Sequence, residues 1–191
     1  MLIESLFVTI VLVVISSIVW TTLVLGISPM PSSKKAYQGV LELIENTGTG
    51  PIVDLGSGWG NLVIRLARTY PQRQIVGFEL SFAPWLFTLV MIKLLGLKNL
   101  KVHRKNFLNI RLNQVNVIVC YLHPKAMKAI QDKISTGAYQ TEYLVSNNFA
   151  LPGQSPEQTL TLTDFYRSPV YRYKICEDSV TQSPPRTTKR F

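Results

Sequence analysis

Cysteine, histidine and charge are all scarce in this sequence. Two cysteines and two histidines in 191 residues exclude a disulfide-built fold. They also leave no cluster with metal-ligand spacing, so no metal is expected. Cys120 lies in an apolar run and Cys176 near the end of the sequence; lone cysteines in a reducing compartment read as inert. There is no internal repeat, no identifiable Ser-His-Asp arrangement, and no RNA-binding module. Charged residues make up 16% against 47% hydrophobic, which excludes a disordered chain. The length suits one domain. A mean hydropathy of +0.18 points to a part that sits in lipid.

No charged residue occurs between Glu4 and Lys34. Within this gap residues 6–27 read LFVTIVLVVISSIVWTTLVLGI, and about 20 apolar residues cross a bilayer core as a helix. A cleaved signal peptide fits poorly, because no Lys or Arg precedes the run and it exceeds a signal h-region of roughly 7–15 residues. The expected organisation is a flank at 1–5, a transmembrane anchor at 6–27, a Pro-rich linker at 28–34, a domain at 35–178 and a basic, disordered tail at 179–191. Lys34 and Lys35 follow the run, so the positive-inside rule places the domain in the cytoplasm of a bacterial inner membrane, or in the matrix of a mitochondrion. The net charge of +9 suits an anionic membrane surface, where each nearby Lys or Arg is worth about 1 kcal/mol. Nucleic acid is not expected.

The domain alternates strands and helices. An amphipathic helix carries Tyr37, Val40, Leu41 and Ile44 on one face. Strand 51–55 leads through glycines into helix 61–70; strand 74–78 leads into helix 82–95, with Ser81 as N-cap and Pro84 in the first turn. Strand 100–103 follows. Strand 115–122 is apolar throughout, as a central parallel strand should be. Helix 124–134, strand 142–147 and an antiparallel pair at 158–163 and 170–175 complete a doubly wound α/β sheet with an antiparallel edge hairpin. Trp85, Phe87, Leu89, Met91 and Leu94 make helix 82–95 nearly all apolar. Packing on the sheet is the default for it, and a face resting on a bilayer the alternative. The run Lys98, Lys101, Arg104 and Lys105 reads as a solvated edge or a headgroup contact, and His103 as surface.

The informative segment is Val53-Asp54-Leu55-Gly56-Ser57-Gly58-Trp59-Gly60, a strand, a glycine turn and a helix start. Glycines permit the turn and let a ligand approach the backbone, and the helix start offers free N–H donors. Glu79 ends the next strand, placed to accept from ribose hydroxyls. Dinucleotides and S-adenosylmethionine both use such geometry. The spacing here is Gly56-x-Gly58-x-Gly60 with Asp54 before it. That pattern resembles motif I of class I S-adenosylmethionine-dependent methyltransferases, whose fold is a Rossmann-like seven-stranded sheet. The resemblance implies that Asp54, Gly56, Ser57, Gly58 and Gly60 hold the methionyl side of the cofactor and Glu79 its ribose. It puts Asn106 and Phe107 at the adenine, where relatives often carry an acid in place of Asn106.

A narrower resemblance joins the anchor and its SPMPS linker to VDLGSGWG, GFELS, YLHP (Tyr121 to Pro124) and Ser146-Asn147-Asn148-Phe149. Together these resemble the small membrane-anchored protein-lysine methyltransferases that act on the ATP synthase c subunit and the adenine nucleotide translocase, and their bacterial relatives. It implies a membrane protein as substrate. Tyr121-Leu122-His123-Pro124 stands where enzymes for planar amino groups carry Asn/Asp-Pro-Pro-aromatic. A lysine amine must shed a proton of ordinary pKa about 10.4, which a desolvated pocket favours. Tyr121 and His123 are the candidates to orient the amine or take that proton. Methylation of a lipid-borne small molecule, and a non-catalytic scaffold, are the alternatives.

Overall fold

The computed structural model describes residues 34–175 together with Glu4, Ser5, Phe7, Val8, Thr9, Leu12 and Ser16. The anchor expected at 6–27 lies mostly outside these residues, as do the linker and the tail at 179–191. No helix among the described residues is long and apolar enough to cross a membrane.

The elements are α1 (Lys34–Ile44), β1 (Ile52–Leu55), α2 (Asn61–Thr69), β2 (Ile75–Glu79), α3 (Phe82–Leu94), β3 (Leu100–Arg104), a 3-10 turn (Phe107–Asn109), β4 (Leu112–Cys120), α4 (Pro124–Ser135), β5 (Tyr139–Asn147), β6 (Gln158–Thr161) and β7 (Pro169–Lys174). They form one seven-stranded sheet of order β3-β2-β1-β4-β5-β7-β6. β1 to β5 are parallel, and β7 runs antiparallel to both neighbours. The expected closing hairpin is therefore present, with its second strand inserted between β5 and β6.

Two differences from the sequence reading have local causes. β4 begins at Leu112, three residues early, and its pairing with β5 shifts between Leu112 and Val115, where Gln114 takes φ 54°. This irregularity breaks the apolar period and hides the first turn of the strand. Helix α3 does not bury itself as an apolar helix should. Only Pro84 and Thr88 are buried, while Phe82, Leu86, Phe87, Val90 and Leu94 are exposed.

Apolar side chains pack on both faces of the sheet. One layer joins Ala36, Val40, Leu43 and Ile44 of α1 and Val63 and Leu66 of α2 to Ile52, Val117, Val119 and Val145, with Ile92 and Leu97 at its border. The other joins Met127, Ile130 and Ile134 of α4 to Leu55, Ile118, Leu144 and Tyr173. Helices following β1 and β4 thus leave on opposite faces. The crevice this opens beyond the carboxyl ends of β1 and β4 is where doubly wound sheets bind ligands. At the other end of the strands lies a buried guanidinium. Arg73 donates to the Gly50 carbonyl (2.7 Å), Thr47 Oγ1 (3.3 Å) and Asn116 Oδ1 (2.6 Å), and its plane lies over Tyr70.

Candidate active site

The glycine loop is built by backbone bonds. Gly56 and Ser57 both donate their N–H to the Phe78 carbonyl, at 2.9 and 3.0 Å, which folds the loop back over β2. Gly56, Gly58 and Gly60 all have positive φ, 82°, 53° and 75°. The last two do different work. A Cβ on Gly60 would stand 2.5 Å from Thr88 Cγ2, so this glycine lets α3 press on the loop. A Cβ on Gly58 would meet nothing within 4 Å and would project into open space. Trp59 closes the contact from the loop side, its ring edge-on to Phe87 at 5.5 Å.

Glu79 is tied to this loop. One of its carboxylate oxygens accepts from Gly58 N–H at 2.9 Å and the other from Ser81 N–H at 2.7 Å. Both oxygens keep lone pairs for a further donor. Asp54 is buried beneath, and burial first, then the charge of Glu79, pushes its carboxyl up to about 7. Ser57 turns its hydroxyl inward. Its Oγ is buried, without a partner among the described residues, in the space left by the missing side chain of Gly77. The glycines, Asp54 and Glu79 are therefore brought together, with the Ser57 side chain packed below.

Asn106 and Phe107 follow β3. Asn106 Oδ1 accepts from Leu108 N–H at 2.9 Å and caps the 3-10 turn, which leaves its amide NH2 as the polar group to face a ligand. Phe107 is 4% exposed and its ring belongs to the core. Its carbonyl accepts from the Tyr139 hydroxyl.

Across the crevice, pairing places Leu55 beside Cys120 and Cys120 beside Ser146. The next residues, Gly56, Tyr121 and Asn147, extend this row at the carboxyl ends of three neighbouring strands. Phe149 joins them. Its ring stacks on Tyr121 at 6.3 Å and stands 6.3 Å from His123. The turn is pinned by Ser146 Oγ donating to the Phe149 carbonyl at 2.6 Å, with Asn148 at φ 70°. Asn147 is buried, and its Oδ1 has no partner among the described residues. His123 is exposed and caps α4, its Nδ1 accepting from Lys125 N–H at 3.3 Å. That bond leaves the proton of a neutral imidazole on Nε2. Nε2 is the ring nitrogen left for any other partner. Cys120 is inert as expected, its buried thiol pushed up to about 12. No metal-holding group exists among the described residues. Asn147 and Phe149 were visible in the sequence only as part of a motif; a polar pair directly after an apolar strand was the available signal.

Residues 54–158, more than half of the chain, match the ANTKMT methyltransferase domain. The chain belongs to this family. A curated protein-lysine N-methyltransferase of Saccharolobus islandicus is similar to this methyltransferase. It is 22% identical over 150 residues, which cover 78% of this chain and 93% of the relative. Among solved structures, an RNA methyltransferase from Salinibacter ruber in complex with S-adenosyl-L-homocysteine superposes with TM-score 0.68 and 23% identity, over 84% of this chain and 100% of that one. The human methyltransferase 10 domain containing protein superposes with TM-score 0.60 and 9% identity, over 86% and 97%. These two likenesses show the fold. The protein is thus a class I, S-adenosylmethionine-dependent methyltransferase. Its residues fit that cofactor, because the open space at Gly58 is one that a single Cβ would obstruct and it adjoins the carboxylate of Glu79.

Proposed function

We propose that this methyltransferase modifies lysine side chains of a membrane or membrane-associated protein while tethered by residues 6–27. The cofactor would be held by Glu79 at its ribose, by the Gly56–Gly60 backbone and Asp54 at its methionyl end, and by the Asn106 amide at its adenine. When bound, S-adenosylmethionine supplies an electrophilic methyl group on a cationic sulfur.

The observation that carries the lysine reading is the wall of Tyr121 and Phe149 just beyond the carboxyl ends of β4 and β5. Aromatic rings accommodate a narrow alkyl chain and withdraw it from water, which lowers the pKa of an ammonium. The segment from Tyr121 to Pro124 has no carboxylate to hold the amine protonated. A protein-lysine N-methyltransferase among the similar proteins supports the same reading.

The tether is supported by the charge-free run itself and by the exposure of its described apolar side chains. Phe7, Val8 and Leu12 are each more than half exposed. Sharing a membrane raises the effective concentration of a substrate held in it. The domain would face the bacterial cytoplasm or the mitochondrial matrix.

Membranes from cells lacking the protein test the proposal. They are incubated with the full-length enzyme and methyl-labelled S-adenosylmethionine, then separated into protein and lipid. Label in a protein band, mapped to lysine by peptide mass spectrometry and absent with Glu79→Ala, is the expected result. Label in lipid alone would assign the activity to a lipid-borne small molecule.

A further inference from the structure

We infer that the outer face of α3 is a second membrane contact, which seats the domain on an anionic lipid surface. The inference rests on the tether proposed above but not on the lysine assignment.

Phe82, Leu86, Val90 and Leu94 follow one another at intervals of four residues along α3, with Phe87 beside them, and all five are exposed. Such spacing gives a stripe about 18 Å long. The opposite face, at Pro84 and Thr88, is the one packed against the protein. A helix apolar on both faces is unusual at a protein surface, and a contiguous exposed apolar strip marks an interaction site.

The charge around the stripe selects the occupant. No acidic residue lies between Glu79 and Asp132. Lys93, at the end of α3, and Lys98, Lys101, Arg104 and Lys105, on the segment that follows it, are all exposed. The Arg104 guanidinium lies 5.3 Å over the Phe82 ring, so cation and apolar stripe are in contact. Apolar side chains flanked by long basic ones are the pattern of an interfacial helix on anionic lipid. A second copy of the same face would bring two all-basic rims together, which disfavours self-association.

The position of the tether agrees. α1 and α3 lie on the same face of the sheet, α1 over β5, β7 and β6 and α3 toward the opposite edge at β2 and β3. The linker at 28–33 enters α1 and can span no more than about 20 Å. α1, into which the linker leads, and the stripe thus belong to the helix layer on one face of the sheet, the side that a bilayer seated on the stripe would meet.

The test uses the full chain with Cys176→Ser; the buried Cys120 thiol stays unreactive. Leu86→Cys and Val90→Cys are labelled with an environment-sensitive fluorophore. Thr159→Cys, exposed on β6 and pointing to the other face of the sheet, is the control. The proteins are reconstituted into phosphatidylcholine vesicles with or without phosphatidylglycerol, some carrying a quencher on the acyl chains. Blue-shifted emission and lipid quenching are expected at positions 86 and 90 in anionic vesicles and not at 159. Quenching should fall severalfold in neutral vesicles, or with Lys98→Glu combined with Lys101→Glu. Emission at 86 and 90 equal to that at 159 would overturn the inference. So would a blue shift without lipid quenching, which would mean that protein covers the stripe. The readout does not involve methyl transfer, so lipid contact without lysine methylation would leave this inference standing and remove the functional proposal alone.

Discussion

Asp54 should make cofactor affinity depend on pH near neutrality. Its carboxyl is 4% exposed and stands at about 7, through burial first and the Glu79 charge second. A cofactor with a cationic sulfonium and a cationic ammonium favours the ionised carboxylate, so binding expels a proton and affinity rises with pH. With the bound-state value well below the window, affinity is reduced by one plus ten to the power of the pKa minus the pH. The reduction is about elevenfold at pH 6 and about 1.3-fold at pH 7.5, a net weakening of about eightfold on acidification. The window stops below about pH 8, where the cofactor's own α-amino group loses its proton. Isothermal titration calorimetry of the full chain, in buffers of different ionisation enthalpy, reads both the affinity and the proton released. Asp54→Asn should bind more weakly at pH 7.5 and show no slope. A flat profile in the unmodified protein, or an unchanged slope in Asp54→Asn, would refute the reasoning. The same raised value acts on folding with the opposite sense. The unfolded chain ionises Asp54 from about 3.8 upward and the folded one only near 7, so cofactor-free stability falls across that interval and levels off above it.

The other predictions separate fold from function. Gly58→Ala should cost about 1–2 kcal/mol for its left-handed backbone yet abolish measurable cofactor binding in calorimetry. Gly60→Ala adds a clash with Thr88 and should lower the melting temperature much more. Arg73→Met strands the Gly50 carbonyl and Asn116 Oδ1 and should cost about 3 kcal/mol in denaturant titration; cofactor affinity of the folded fraction should not change, since this knot is at the far end of the strands. Phe149→Ala removes half of the Tyr121–Phe149 wall and should lower kcat/KM for the protein substrate severalfold with cofactor affinity intact. An equal loss in both would place Phe149 in the cofactor site instead.

The glycine loop, Asp54 and Glu79 were legible because their relations are local. A strand, a tight turn and a helix start follow one another in the sequence, and the next strand end is one crossover away. The insertion of β7 between β5 and β6 was not legible, since periodicity identifies strands but not their neighbours. Nothing local in the sequence marks Arg73, since only the fold brings Gly50, Thr47 and Asn116 to it. The cap made by His123 depends on where α4 begins, and it engages one of the two ring nitrogens. Helix α3 misled for a physical reason: an all-apolar helix predicts burial, and composition does not say whether protein or some other apolar medium provides it.

The contact between Gly60 and Thr88 removes slack from the cofactor loop. With φ positive at Gly60 and Thr88 filling the space of its missing Cβ, the loop cannot tilt without carrying α3 with it. The other side of that helix is the apolar stripe. Loop and stripe thus sit on the two sides of one helix, so substitutions on the stripe that shift α3 should register at the cofactor loop as a change in binding, with no residue of the loop altered.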